Sequence, residues 1–190
     1  MSVTPEFFLR PRRGRRLTKR NEWCGKPVIL ASVGAAEIPI RWATRPEELL
    51  GAVSVREEVF CREQGVPRAE ELDGLDDDAL HLVALAPDES CVIATLRLLL
   101  AGGIARVGRV AVERDWRRQG IASRMLDAAV ATARARGCTQ ARLAAQTQAT
   151  GLYERAGFAI ESEPFEEAGI AHVWMGCQLT PDEERRHLAL

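Results

Sequence analysis

The sequence predicts a single α/β domain spanning about residues 38–180, preceded by a basic N-terminal extension and followed by a polar tail. Three observations carry that expectation. Segments alternating every second residue are interleaved with segments at helical spacing, in the order β, α, three β, α, β, α, β. A strand-like run, a glycine turn and an amphipathic helix follow one another directly in "RVAVERDWRRQGIASRML" (Arg109–Leu126). No internal repeat or second apolar core divides the 190 residues, a length that suits one domain.

The elements are read in order as follows. Residues 1–37 keep no period, and the first twenty hold seven Arg or Lys against the single acid Glu6. Ile38, Ile40 and Trp42 alternate with Pro39 and Arg41, as in a half-buried strand. Thr44 and Glu47 have capping-box spacing and Pro46 suits a first helical turn, so a helix follows, with Leu49, Leu50, Val53 and Phe60 on its apolar side. Leu80–Ala86 and Cys91–Leu100 read as strands joined by the turn "PDES", and Gly102–Ile104 makes another turn. Ala105–Val112 is a third strand, with Val107, Arg109 and Ala111 on one face and Gly108, Val110 and Val112 on the other. A helix over Ala122–Arg136 buries Met125, Leu126, Ala129, Val130 and Ala133 and stops at Gly137. Ala141–Gln146 is a strand, Ala149–Phe158 contains a short helix ending at Gly157, and Ile170–Leu179 is the last strand. Residues 181–190 form the polar tail.

Hydrophobic residues make up 46% and charged residues 28% of the chain, enough for a core and against global disorder. A net charge of −1 argues against general polyanion binding. The basic tail leaves open a salt-sensitive association with nucleic acid. Five scattered cysteines without a C-x-x-C pair argue against a disulfide framework or a zinc site, so no metal is expected and a reducing, cytoplasmic setting is favoured. No apolar run reaches membrane-spanning length, and the N-terminus lacks the apolar core of a secretory signal.

Arg117 and Arg118 stand just before a helix start, where the unpaired N–H groups already make the helix end electropositive. An anion resolves that conflict. Gly120 permits close approach, Ala122 is small, and the backbone of Arg117, Arg118, Gln119, Gly120, Ile121 and Ala122 can supply donors to phosphate. Two arginines that merely solvate a loop remain the plainer reading of this pattern alone. Neither G-x-x-x-x-G-K-[ST] nor G-x-G-x-x-G occurs, which removes the usual signatures for nucleoside triphosphates and dinucleotides.

The same stretch resembles the cofactor segment of GNAT-superfamily N-acetyltransferases, R/Q-x-x-G-x-G/A after a V-A-V-type strand, with Arg117, Gly120 and Ala122 in its defined places. "ARLAAQTQATGLYERAGF" (Ala141–Phe158) is similar to that family's next strand and helix, with Tyr153, Gly157 and Phe158 in the Y-x-x-x-G-F-like run. Val59–Ala84 and Pro164–Met175 resemble an ElaA-like subgroup, and the resemblance spans roughly Val59–Leu179. Arg118 stands where glycine is common, and Gln146 where many relatives carry asparagine.

The resemblance implies a GNAT-like domain whose mixed, mostly antiparallel sheet is flanked by helices. It implies acetyl-CoA as co-substrate and direct attack of a primary amine, small molecule or peptide, on the thioester. Val110, Ala111 and Val112 would pair with the pantetheine arm, and Tyr153, the only tyrosine, would protonate the leaving thiolate. Without the resemblance Tyr153 reads as a packing residue. The base could be Glu63, Glu71, His81, Glu166, His172 or solvent. The acidic run Glu70–Asp78 is either a solvated loop or, at an acceptor mouth, an attractor of cationic amines. Three rivals stand beside this reading: a non-catalytic acetyl-CoA-binding regulatory module, an acyl-homoserine-lactone-synthase-like acyl transferase, and nucleic-acid association through the tail. A homodimer is compatible with all of these.

Overall fold

The computed structural model describes residues 37–179. The extension over 1–36 and the tail over 181–190 lie outside the described residues. The sheet runs β1 (Ile40–Trp42), β2 (Leu80–Leu85), β3 (Val92–Ala101), β4 (Ile104–Val112), β5 (Gln140–Gln146), β8 (Ile170–Gln178) and β6 (Ala159–Ile160), with β7 (Phe165–Glu167) also on β8. Only β4 and β5 pair in parallel; every other pair is antiparallel. The expected mixed, mostly antiparallel sheet flanked by helices is the observed fold. Helix α3 (Ile121–Ala135) packs on β2, β3 and β4 of one face, and the short α4 (Thr150–Arg155) adjoins it against β5. Helix α1 (Pro46–Arg56) covers β2, β3 and β4 on the other face and continues as a π-helical turn over Glu57–Glu63. The remaining helix, α2 (Arg68–Glu71), is a single turn.

Two expectations are corrected. In α1 the capping box is Arg45 with Glu48, not Thr44 with Glu47. Leu49 and Leu50 are 40% and 71% exposed, while the buried side carries Glu48, Ala52, Val55 and Arg56. The inward charges are each partnered, which is what permits their burial. Glu48 accepts hydrogen bonds from the Arg41 and Arg45 side chains and from the N–H groups of Thr44 and Arg45. In β4 the faces exchange partway. Thr95 pairs with Ala111 but Arg97 with Gly108, so β4 holds one extra residue there, and Arg109 takes a left-handed φ of 51°. Val107 therefore joins the core under α3, while Ala111 joins the smaller core under α1.

Much of the acidic run is tied to arginines of the fold, and Glu70, Glu71 and Asp73 also line the large cavity described below. Arg56, fully buried, donates to Glu71 and to Asp76 at 2.9 Å. Arg97 binds Asp73 and, at 2.8 Å, Asp76; Arg109 reaches Asp73 at 3.1 Å. Glu70, Asp77 and Asp78 of the run are exposed and, among the described residues, have no ion pair. Arg56→Met is expected to lower stability by about 3–5 kcal/mol in urea denaturation, because the buried Glu71 loses its hydrogen-bonded partner and keeps only the more distant Arg109, at 3.6 Å. A loss under about 1 kcal/mol would show that water replaces the guanidinium.

The network also sets a pH dependence. The Arg97 hydrogen bond holds the Asp73 carboxyl well below its ordinary value of 3.8, against the opposing effect of burial. Burial would raise Asp76, but hydrogen bonds from Arg56 and Arg97 outweigh it and bring it down. Both folded-state values lie below the unfolded ones, so this stability is complete above about pH 5 and is lost as pH falls through the lowered values. Urea midpoints are expected to be level above pH 5 and to fall below about pH 4, with a shallower fall in Asp73→Asn. An unchanged slope in that variant would remove Asp73 from the account.

Among the described residues no helix is long and apolar enough to cross a membrane. Cys61, Cys138 and Cys177 are free thiols, Cys138 buried and the other two half-buried.

Candidate active site

The site begins where β4 and β5 part. Their pairing covers only Ile104–Arg106 against Gln140–Arg142. Beyond it, the bulge at Arg109 carries the end of β4 away, and an open slot is left between Val107–Val112 and Leu143–Gln146. A cavity of about 990 Å³ occupies the slot and the half of the sheet face that α1 does not cover. A second hollow of about 350 Å³ lies at the start of α3. Val112, Arg117, Ala122 and Leu152 line both, so the two form one passage.

At the α3 end the chain is built to present backbone donors. Arg118 and Gly120 have φ of 64° and 75°. Gly120 accepts the first helical bond from the Arg124 N–H at 3.1 Å, which leaves the N–H groups of Ile121, Ala122 and Ser123 ahead of it without an intrahelical acceptor. No side chain caps this end and no acid lies in the first turn. Arg118, Gly120, Ile121, Ala122 and Ser123 line the smaller hollow together with Arg155 of α4. Arg155 was missed in the sequence, where it reads as one more polar position of a short helix.

The Arg117 side chain is engaged within the protein. Its Nε donates to the Val112 carbonyl at 2.9 Å and its guanidinium pairs with Glu63 at 2.8 Å. The side chain ties the loop to the end of β4 and to the π-helical turn, and only its backbone remains for a ligand. Gln119 is exposed, with its amide donating to the Asp115 carbonyl. Val110, Ala111 and Val112 all line the larger cavity along the slot.

Tyr153 lies across from them in the same cavity, 8% exposed and edge-on to Phe158 with ring centroids 6.4 Å apart. Burial pushes its phenol up to about 12, so it is protonated throughout the neutral range. The five possible bases separate. Glu63 is held by Arg117 and lies near Arg114 at 3.7 Å. Glu71 lines the cavity but its carboxylate is bound by the buried Arg56. His81 is buried in β2 with Nε2 3.0 Å from the Asp76 carbonyl and does not line the cavity. Glu166 sits on the β7–β8 hairpin and its neighbour Glu167 lines the cavity in its place. His172 lines the cavity, half-buried and stacked on Phe165. Gln146, at the end of β5, accepts and donates amide bonds with Gln64 across the mouth of the slot, the shorter at 2.8 Å.

Comparison with known proteins agrees with this geometry. Residues 45–179 match the family model for the acetyltransferase (GNAT) domain. The chain is 34% identical over 134 residues to the uncharacterized N-acetyltransferase YjcF of Bacillus subtilis, covering 70% of this chain and 94% of that one. Its structure is similar to an acyl-CoA N-acyltransferase from Pseudomonas aeruginosa, with 29% identity, TM-score 0.67 and coverage of 74% of this chain and 99% of that one. Escherichia coli ElaA shares the fold at 24% identity and TM-score 0.66, over 74% of this chain and 99% of its own. A sheet parted between β4 and β5, an uncapped helix start at its end and a family match across most of the described residues lead to one assignment: the chain belongs to the GNAT acetyltransferase family.

Proposed function

We propose that the protein transfers an acetyl group from acetyl-CoA to a primary amine by direct attack, and that it sits in an ElaA-like branch of the family. The single observation that carries this is the continuous passage from the start of α3, through the β4–β5 slot, to an open sheet face. Its parts match the parts of the donor. The N–H groups of Ile121, Ala122 and Ser123, with the helix dipole behind them, suit the pyrophosphate. Arg118 and Arg155 line the same hollow and add positive charge. The free edge of Val110, Ala111 and Val112 suits the amides of the pantetheine arm, as an added strand would. An N–H on that edge can face the thioester oxygen as negative charge grows there.

At the sulfur end, Tyr153 offers a hydroxyl that stays protonated. A phenol near 12 is a weaker acid than an ordinary thiol of about 8.5. It therefore stabilises the departing thiolate chiefly by donating a hydrogen bond as the carbon–sulfur bond breaks. A covalent route has less to support it. Burial, with Glu71 and Glu57 nearby, pushes the Cys61 thiol up, and burial does the same for Cys177. Both changes reduce the thiolate fraction that a nucleophile needs. The acceptor is a small-molecule or peptide amine entering over the uncovered sheet face.

The test is a panel of amines and lysine peptides screened for acetyl-CoA-dependent thiol release. Release with at least one amine, in proportion to amide formed, is the expected result. Tight binding of acetyl-CoA with no release for any amine would favour the regulatory-module reading instead.

A further inference from the structure

We infer that His172 is the base that removes the proton from the incoming ammonium group, an inference that rests on the proposed transfer to an amine. The argument starts from one hydrogen bond. Nδ1 of His172 lies 2.8 Å from the carbonyl oxygen of Ile170. A carbonyl can only accept, so Nδ1 carries the hydrogen. In the neutral ring Nε2 is then left with its lone pair, the form that can take up a proton. The ring cannot readily turn away from this arrangement. Phe165 stacks on it at 6.0 Å with an interplanar angle of 27°, and Phe165 is itself stacked on Trp174 at 5.6 Å.

The placement agrees with the role. His172 pairs with Gln146, the last residue of β5, so it stands one strand from the open part of the slot. It is half-buried on the wall of the same cavity as Val110–Val112, within which an acceptor amine would approach a thioester held along that edge. The charged residues on the elements packed against β8 are few. They are Arg142 on β5, tied to Glu161 at 2.7 Å, and Glu166 and Glu167 on β7. The turn over Thr147–Ala149 and strand β6 carry none. Glu167 shares the cavity wall and favours an approaching ammonium.

The step balances simply. The ammonium gives one proton to Nε2, and the free amine attacks the thioester carbon. The nitrogen–carbon bond forms, the carbon–sulfur bond breaks, the second nitrogen proton leaves to solvent, and the thiolate, hydrogen-bonded by Tyr153 as it departs, takes up one proton from solvent. His172 then returns its proton to solvent.

Two measurements test this. The first needs no acceptor: heteronuclear NMR of protein labelled at histidine, which has only three such residues, with His172→Gln to assign the signal. A neutral His172 protonated at Nδ1 is expected, and a ring protonated at Nε2 overturns the assignment. The second compares wild type and His172→Gln with phenylethylamine, spermidine and a lysine peptide as acceptors. At pH 7 kcat/KM for the amine is expected to fall about 10²–10⁴-fold. The gap should narrow as pH rises and more amine arrives already neutral. The acetyl-CoA dissociation constant should stay within about twofold, and added imidazole should restore part of the rate in His172→Ala. A His172→Gln enzyme with wild-type kcat/KM, or a loss equal at all pH values, overturns the base while leaving the acetyltransferase reading intact. A wild-type protein that releases no thiol with any of these amines overturns both.

Discussion

Acetyl-CoA is expected to bind Gly120→Asp about 100-fold more weakly than wild type, in a variant that still folds. Gly120 has a φ of 75°, and a Cβ built on it meets nothing within 4 Å. The fold is therefore charged only for a left-handed aspartate, about 1–2 kcal/mol, and aspartate is among the residues that visit this region. The new side chain enters the hollow lined by Arg118, Ile121 and Ala122, where the pyrophosphate is proposed to sit. It brings a negative charge against a negative ligand and an acceptor that competes for the same N–H groups. Losing one hydrogen bond to a charged group costs about 1.5–3 kcal/mol. At about 1.4 kcal/mol per tenfold, that alone approaches two decades before repulsion is added. Gly120→Ala, with the same backbone cost and no charge, should lose far less. Calorimetry on the three proteins checks this. Wild-type affinity in a folded Gly120→Asp protein would place the donor elsewhere.

Tyr153→Phe is expected to lower kcat by about 10²–10³-fold with little change in the dissociation constant of acetyl-CoA. The substitution removes one hydroxyl and keeps the ring that packs edge-on to Phe158. The proposed hydrogen bond to sulfur would be made mainly as the carbon–sulfur bond breaks, so ground-state binding should be nearly untouched. Single-turnover kinetics, which isolate the chemical step, are the measurement. Full kcat in Tyr153→Phe, with chemistry rate-limiting, would make Tyr153 a packing residue and leave the thiolate to water.

What the sequence made legible was set by the range of the interactions involved. Helix α3 was readable because its apolar residues recur at helical spacing and Gly137 ends it, all within one local segment. The turn before it was readable for a related reason: Gly120, at a φ of 75°, marks where the backbone turns into the helix. The Arg117–Glu63 pair was not legible, because its partners are 54 residues apart and no local pattern announces them. Helix α1 was misread for the same cause. Its inward Glu48 and Arg56 are buried only because Arg41, Arg45, Glu71 and Asp76 meet them in the fold, and pattern reading gives the interior to Leu49 and Leu50 instead. The bulge at Arg109 reversed an alternation that was correct up to Gly108, and strands of two and three residues, β6 and β7, are too short to show a period. Among the five possible bases, sequence offered no ranking. His172 separates from them only through a hydrogen bond to Ile170 and its place on the cavity wall.

The most direct measurement follows an isotopically labelled acetyl group through a single turnover, with the quenched reaction divided into coenzyme, amine and protein. The account predicts that the label leaves coenzyme A only when an amine acceptor is present, with one thiol released for each amide formed, and passes to the amine nitrogen without residing on the protein. Label recovered on a cysteine of the protein would contradict direct attack. Label that stays on a tightly bound coenzyme, whatever amine is supplied, would contradict catalysis itself.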